Sequence, residues 1–120
     1  MEGAVSVKNV IVILVLSTLA FAAQASQQWC TGTIKAEYAS VDGSLYIWGT
    51  YRSEWTQVCN LMVTWKGVDP NMCKQWHAMT MTLRVTSEPV TVYYYDLPSC
   101  AAIPYYSDAP APGYVMINER

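Results

Sequence analysis

The chain has 120 residues, a formal net charge of -2, and is 52% hydrophobic with only 13% charged residues. That length leaves room for one modest core and excludes a multidomain protein. Mild acidity argues against nucleic-acid binding, which needs clustered Lys and Arg to displace counterions. The composition is too apolar for a disordered chain.

Residues 1–25 read as a signal peptide rather than as part of the fold. Lys8 precedes an apolar run from Val10 to Leu16, the apolar character resumes at Leu19, and Ala23-Gln24-Ala25 has the small-x-small form that signal peptidases cut. The run is shorter than a bilayer-spanning helix, so no membrane span is expected after cleavage. Residues 26–120 are then a single domain in the periplasm or the medium. Its four cysteines, Cys30, Cys59, Cys73 and Cys100, suit two disulfides in an oxidising compartment. They contain no C-x-x-C pair and only His77 could assist them, so no metal or other cofactor is expected. Spacing alone leaves all three pairings open. The layout of elements below favours Cys59 with Cys73 and Cys30 with Cys100.

Ile34, Ala36 and Tyr38 alternate with Thr33, Lys35 and Glu37, a strand period. Asp42-Gly43 then predicts a type I′ hairpin, which needs positive φ at both residues. Its return strand is residues 44–51, with Leu45 and Ile47 on one face and Tyr46 and Trp48 on the other. A third strand is expected over residues 56–65. Asp69-Pro70 has the form of an N-cap followed by proline at the first helical position. Met72, Trp76, Met79 and Leu83 follow on one helical face, favouring a helix over residues 70–85. The alternation of Met79, Met81, Leu83 and Val85 with threonines keeps a strand from about Ala78 as the alternative. Residues 90–96 form a strong strand, and residues 97–112 a loop carrying Pro98, Pro104, Pro110 and Pro112. A last strand covers residues 114–118. The order β-β-β-α-β-β is that of an OB-like five-stranded barrel, mainly β with one helix (α+β); if residues 78–86 were strand, the fold would be an all-β barrel or sandwich.

Catalytic signatures are missing. No G-x-S-x-G elbow surrounds any serine, the cysteines are occupied as bridges, and His77 lacks a marked partner in sequence. The carboxylates show no pairing that would mark a glycosidase. The chain therefore reads as a non-enzyme. Five Trp and nine Tyr, with the sole Phe at Phe21 in the leader, are the informative excess. Rings with a polar handle suit wet binding surfaces. Tyr46 and Trp48, opposite the apolar strand face, and Tyr105 and Tyr106, in the long loop, are the candidate ligand-binding residues, for a glycan or a protein partner.

The stretch Cys73-x-x-Trp76-x-Ala78, leading through Pro89 into Val90-Thr91-Val92-Tyr93, together with the signal peptide and early cysteine, resembles the OB-fold B subunits of bacterial AB toxins of the subtilase-cytotoxin and pertussis-like group. It is also similar to small uncharacterised exported proteins of Gram-negative bacteria. The toxin resemblance implies a glycan-binding subunit that forms a homo-oligomeric ring, and it transfers no site residue. The alternative is a monomeric periplasmic inhibitor or accessory protein that engages another protein through the proline-rich loop, whose prolines lower the cost of ordering.

Overall fold

The computed structural model describes residues 26–118. The predicted leader lies outside these residues. The described chain forms six strands and one α-helix in the order β1 (Ser26–Gly32), β2 (Ile34–Ala39), β3 (Ser44–Gly49), β4 (Trp55–Asn60), α1 (Pro70–Thr86), β5 (Val90–Leu97) and β6 (Tyr114–Ile117), with a 3-10 turn at Cys100–Ala102. The described residues are mainly β with one α-helix. Their strands form two three-stranded antiparallel sheets, β1-β5-β6 and β2-β3-β4, with no closed barrel, where the sequence predicts an OB-like barrel of five strands.

The sixth strand is β1. Its only fully buried side chain is Cys30, so residues 26–32 show no apolar alternation; pairing with β5 and the Cys30 bridge hold it instead. Only Thr33 separates β1 from β2, and the chain passes from one sheet to the other there. A Cβ on Gly32 would collide with the Thr50 side chain and come within 2.7 Å of the Tyr51 amide, so glycine permits the close crossing. Thr33 and Thr50 exchange two bonds across it, Thr50 N–H to the Thr33 carbonyl and Thr33 N–H to Thr50 Oγ1, both 2.9 Å.

The hairpin after β2 forms, with a different turn. Gly43 N–H donates to the Ser40 carbonyl and Ser40 N–H to the Ser44 carbonyl, and of the two predicted residues only Gly43 has positive φ, at 90°. This is a three-residue loop, a turn followed by a left-handed glycine, in place of type I′. Asp42 avoids positive φ because its carboxylate has local partners, the Ser40 hydroxyl and the Ser44 N–H. Those bonds also lower its pKa. A two-residue turn with both φ values positive occurs instead at Lys66-Gly67 (46° and 86°), where Trp65 and Val68 exchange both backbone bonds.

β4 stops at Asn60, short of the expected Trp65. Asn60 Oδ1 accepts the N–H groups of Met62 (2.8 Å) and Val63 (3.1 Å), which turns the chain out of the sheet. Met62 and Val63 are exposed as a result.

Helix α1 begins as its sequence signals. The Asp69 carboxylate accepts the Met72 N–H at 2.9 Å, Pro70 occupies the first turn, and Ser87 in a left-handed conformation closes the far end. The threonines that suggested strand are accommodated, since Thr82 and Thr86 donate to carbonyls one turn back, at Ala78 and Thr82. The buried face is Cys73, Trp76, Thr80 and Leu83, rotated from the expected one, with Met72 at the exposed margin. Cys73 sets this rotation by its bridge to Cys59 on β4. Asp69→Ala is expected to lower stability by about 1 kcal/mol, read as a lower urea midpoint at unchanged slope.

The disulfides are Cys30–Cys100 and Cys59–Cys73. The first ties β1 to the 3-10 turn and the second ties β4 to α1. Between the sheets and under the helix lies one core containing Leu45, Ile47, Val58, Trp76, Leu83, Val92 and Tyr94.

Candidate functional site

The outer face of sheet β2-β3-β4 carries a run of aromatic rings. Tyr46 lies directly opposite Tyr38 on β2, and Trp48 opposite Trp55 on β4. Tyr38 stacks on Tyr46 with ring centroids 4.9 Å apart and meets Trp55 edge-on at 4.8 Å. Trp48 meets Trp55 edge-on at 5.7 Å, and Tyr46 meets Tyr106 from the long loop at 5.8 Å. The rings remain partly open to solvent, Tyr38 at 40% and Tyr106 at 47%. The Tyr38 hydroxyl is pushed above its ordinary pKa by desolvation first, then by the neighbouring Tyr46 and Tyr106 hydroxyls.

Three of the four candidate residues, Tyr46, Trp48 and Tyr106, therefore belong to one surface. Tyr105 does not join it. Its ring packs under the Arg52 guanidinium at 4.6 Å, while Arg52 Nε donates to the Ile103 carbonyl at 2.7 Å. Tyr38 and Trp55 belong to the surface and were not singled out from sequence. Uninterrupted alternation places Tyr38 on the same face as Ile34, toward the core. A bulge between Ile34 and Ala36 reverses this, so Ile34 points inward while Tyr38 joins Tyr46 outside.

Tyr106 is positioned by backbone bonds. Its N–H donates to the Trp55 carbonyl (2.8 Å) and its carbonyl accepts the Gln57 N–H (3.0 Å), a parallel bridge between the loop and the free edge of β4. Lys66 Nζ donates to the carbonyls of Ser107 (3.0 Å) and Ala109 (2.6 Å), and Ile103 and Ala109 are fully buried. The proline-rich loop is thus anchored to the body at several points, with the exposed residues 104–108 as its tip.

His77 has a partner that spacing did not reveal. Its Nδ1 lies 2.9 Å from Glu37 Oε1, and the Glu37 side chain is only 7% exposed. The same bulge that turns Tyr38 outward turns Glu37 toward α1. Among the described residues no group of three or more His, Cys, Asp or Glu side chains is placed to hold a metal ion. No described helix is long and apolar enough to cross a membrane.

No protein-family model matches the chain, and no curated protein or solved structure matches it either.

Proposed function

We propose that the protein is an exported, non-catalytic binding module that takes a glycan on the aromatic face of β2-β3-β4. The observation that carries this reading is the contiguous surface formed by Tyr38, Tyr46, Trp48 and Trp55 of the sheet with Tyr106 of the loop bridged to it. Pyranose rings offer patches of C–H groups that pack on ring faces, while their hydroxyls reach phenol and indole polar atoms at the rim. Two disulfides suit an oxidising compartment outside the cytoplasm. We also propose OB-type wiring, in which β1 and β2 act as one strand shared by both sheets and the Thr56–Tyr106 parallel bridge brings the chain ahead of β6 to the edge of β4. The bonds from Lys66 and Arg52 and the Tyr106 bridge hold the proline-rich loop so that the Tyr106 ring meets Tyr46, which enlists the loop in the aromatic face and favours the glycan reading.

The test is a glycan array probed with the oxidised protein, followed by titration of any hit. Trp48→Ala is expected to weaken binding at least tenfold, about 1.4 kcal/mol, while Tyr105→Ala changes it less than twofold. Equal effects of the two substitutions, or no saturable binding to any glycan, would overturn the proposal. Thermal unfolding of both variants checks that the fold persists.

A further inference from the structure

A concave surface elsewhere on the fold shares no lining residue with the aromatic face. It is a cleft of about 580 Å³ at the start of α1. Trp76 and Met72 line it from the helix, residues 110–113 form a wall, and Tyr95 and Tyr114 line it from β5 and β6. Trp76 is almost fully buried, whereas Tyr95 is 66% exposed.

The walls are fixed in place. Pro110 and Pro112 lock their own φ angles, and Gly113 N–H donates to the Tyr93 carbonyl at 2.7 Å. A Cβ on Gly113 would come within 2.7 Å of both the Tyr93 and Tyr95 rings, so glycine lets the main chain lie directly against them. Tyr114 stacks on Tyr93 with centroids 4.8 Å apart, and its hydroxyl accepts Trp29 Nε1–H at 2.7 Å, which leaves its own proton free to donate.

The charged groups lining the cleft are also held by backbone partners. Lys66 Nζ is held by the Ser107 and Ala109 carbonyls and lies 4.7 Å from the Trp65 ring centroid, and Asp69 Oδ1 is held by the Met72 N–H, which leaves Asp69 Oδ2 to accept from a ligand beside the donating Tyr114 hydroxyl. One cation and one anion give a lining with no net charge and both hydrogen-bonding senses. That combination, beside ring edges and an apolar floor, complements an uncharged polyol with an apolar face.

We infer that this cleft is a second binding site, for one or two neutral pyranose units at the end of a glycan. The protein then engages carbohydrate at two independent places, and the cleft's failure as a site would leave the aromatic face untouched.

Methyl NMR of the oxidised protein labelled at methionine tests the assignment. Met72 reports the cleft, and Met62, Met79, Met81 and Met116 serve as internal controls. Methyl glycosides of glucose, galactose and N-acetylglucosamine are the probes. At least one is expected to shift Met72 saturably, with Kd on the order of 1–10 mM for so small a ligand. Tyr95→Ala should weaken that response several-fold, Ala111→Phe should abolish it by filling the cleft, and Trp48→Ala should leave it unchanged. A Met72 signal unmoved by all three sugars overturns the proposal. So does a response that survives Ala111→Phe, or one lost in Trp48→Ala, which would assign the sugar to the other face. The control methyls show in each variant whether the fold is intact.

Discussion

Above pH 10 the protein is expected to lose stability steeply, at about 2.7 kcal/mol per pH unit. The cause is two buried phenols. The hydroxyls of Tyr51 and Tyr94 are both enclosed. Burial raises both pKa values well above the ordinary range, and for Tyr94 the nearby Tyr51 adds to the rise; the Thr56 hydroxyl offsets part of it. In the unfolded chain both phenols ionise near pH 10, while in the folded state they stay protonated. The unfolded state therefore binds fewer protons, and stability falls as pH rises. The contribution is intact below pH 10 and is lost progressively as pH climbs toward the folded-state values. Urea midpoints across this range should drop with that slope, and tyrosinate absorbance should show two phenols ionising only as the chain unfolds. Tyr94→Phe should halve the slope. Ionisation of every tyrosine while the native fold persists would contradict the burial argument.

Removing the Cys30–Cys100 bridge by a double substitution to alanine is expected to cost about 4 kcal/mol, and removing Cys59–Cys73 about 3 kcal/mol. The difference follows from loop length, because the first bridge spans 70 residues and the second 14. For a small domain with roughly 5–15 kcal/mol in total, either loss is large. The Cys30–Cys100 bridge also secures β1, whose exposed side chains contribute little apolar burial of their own. Urea denaturation of the two double variants should show the larger fall for Cys30/Cys100. The opposite order would mean that the Cys59 link between β4 and α1 matters more than chain entropy.

Local signals were legible wherever a single residue fixes the backbone. Asp69 and Pro70 marked the start of α1, and the β-branched and tyrosine run marked β5. Two kinds of feature were not legible. β1 carries an edge strand's polar pattern, and its place depends on pairing with a segment 58 to 71 residues away. The bulge after Ile34 changes which face each β2 residue occupies, and no residue there announces it. That one irregularity separates the expected site, Tyr46 and Trp48, from the fuller surface with Tyr38 and Trp55. It also brings Glu37 to His77. Tyr105 and Tyr106 are adjacent in sequence and equally aromatic, yet the backbone bridge to β4 selects only Tyr106 for that surface.

The two bridges are nested, Cys59–Cys73 lying inside the span closed by Cys30–Cys100. A chain made from its amino end presents Cys30 and Cys59 first, two thiols that the native structure does not join. An oxidant acting in order of appearance would couple that wrong pair, and both native bonds would then require thiol–disulfide exchange to form. Material oxidised quickly in vitro is accordingly expected to contain scrambled isomers that a mild thiol redox buffer resolves.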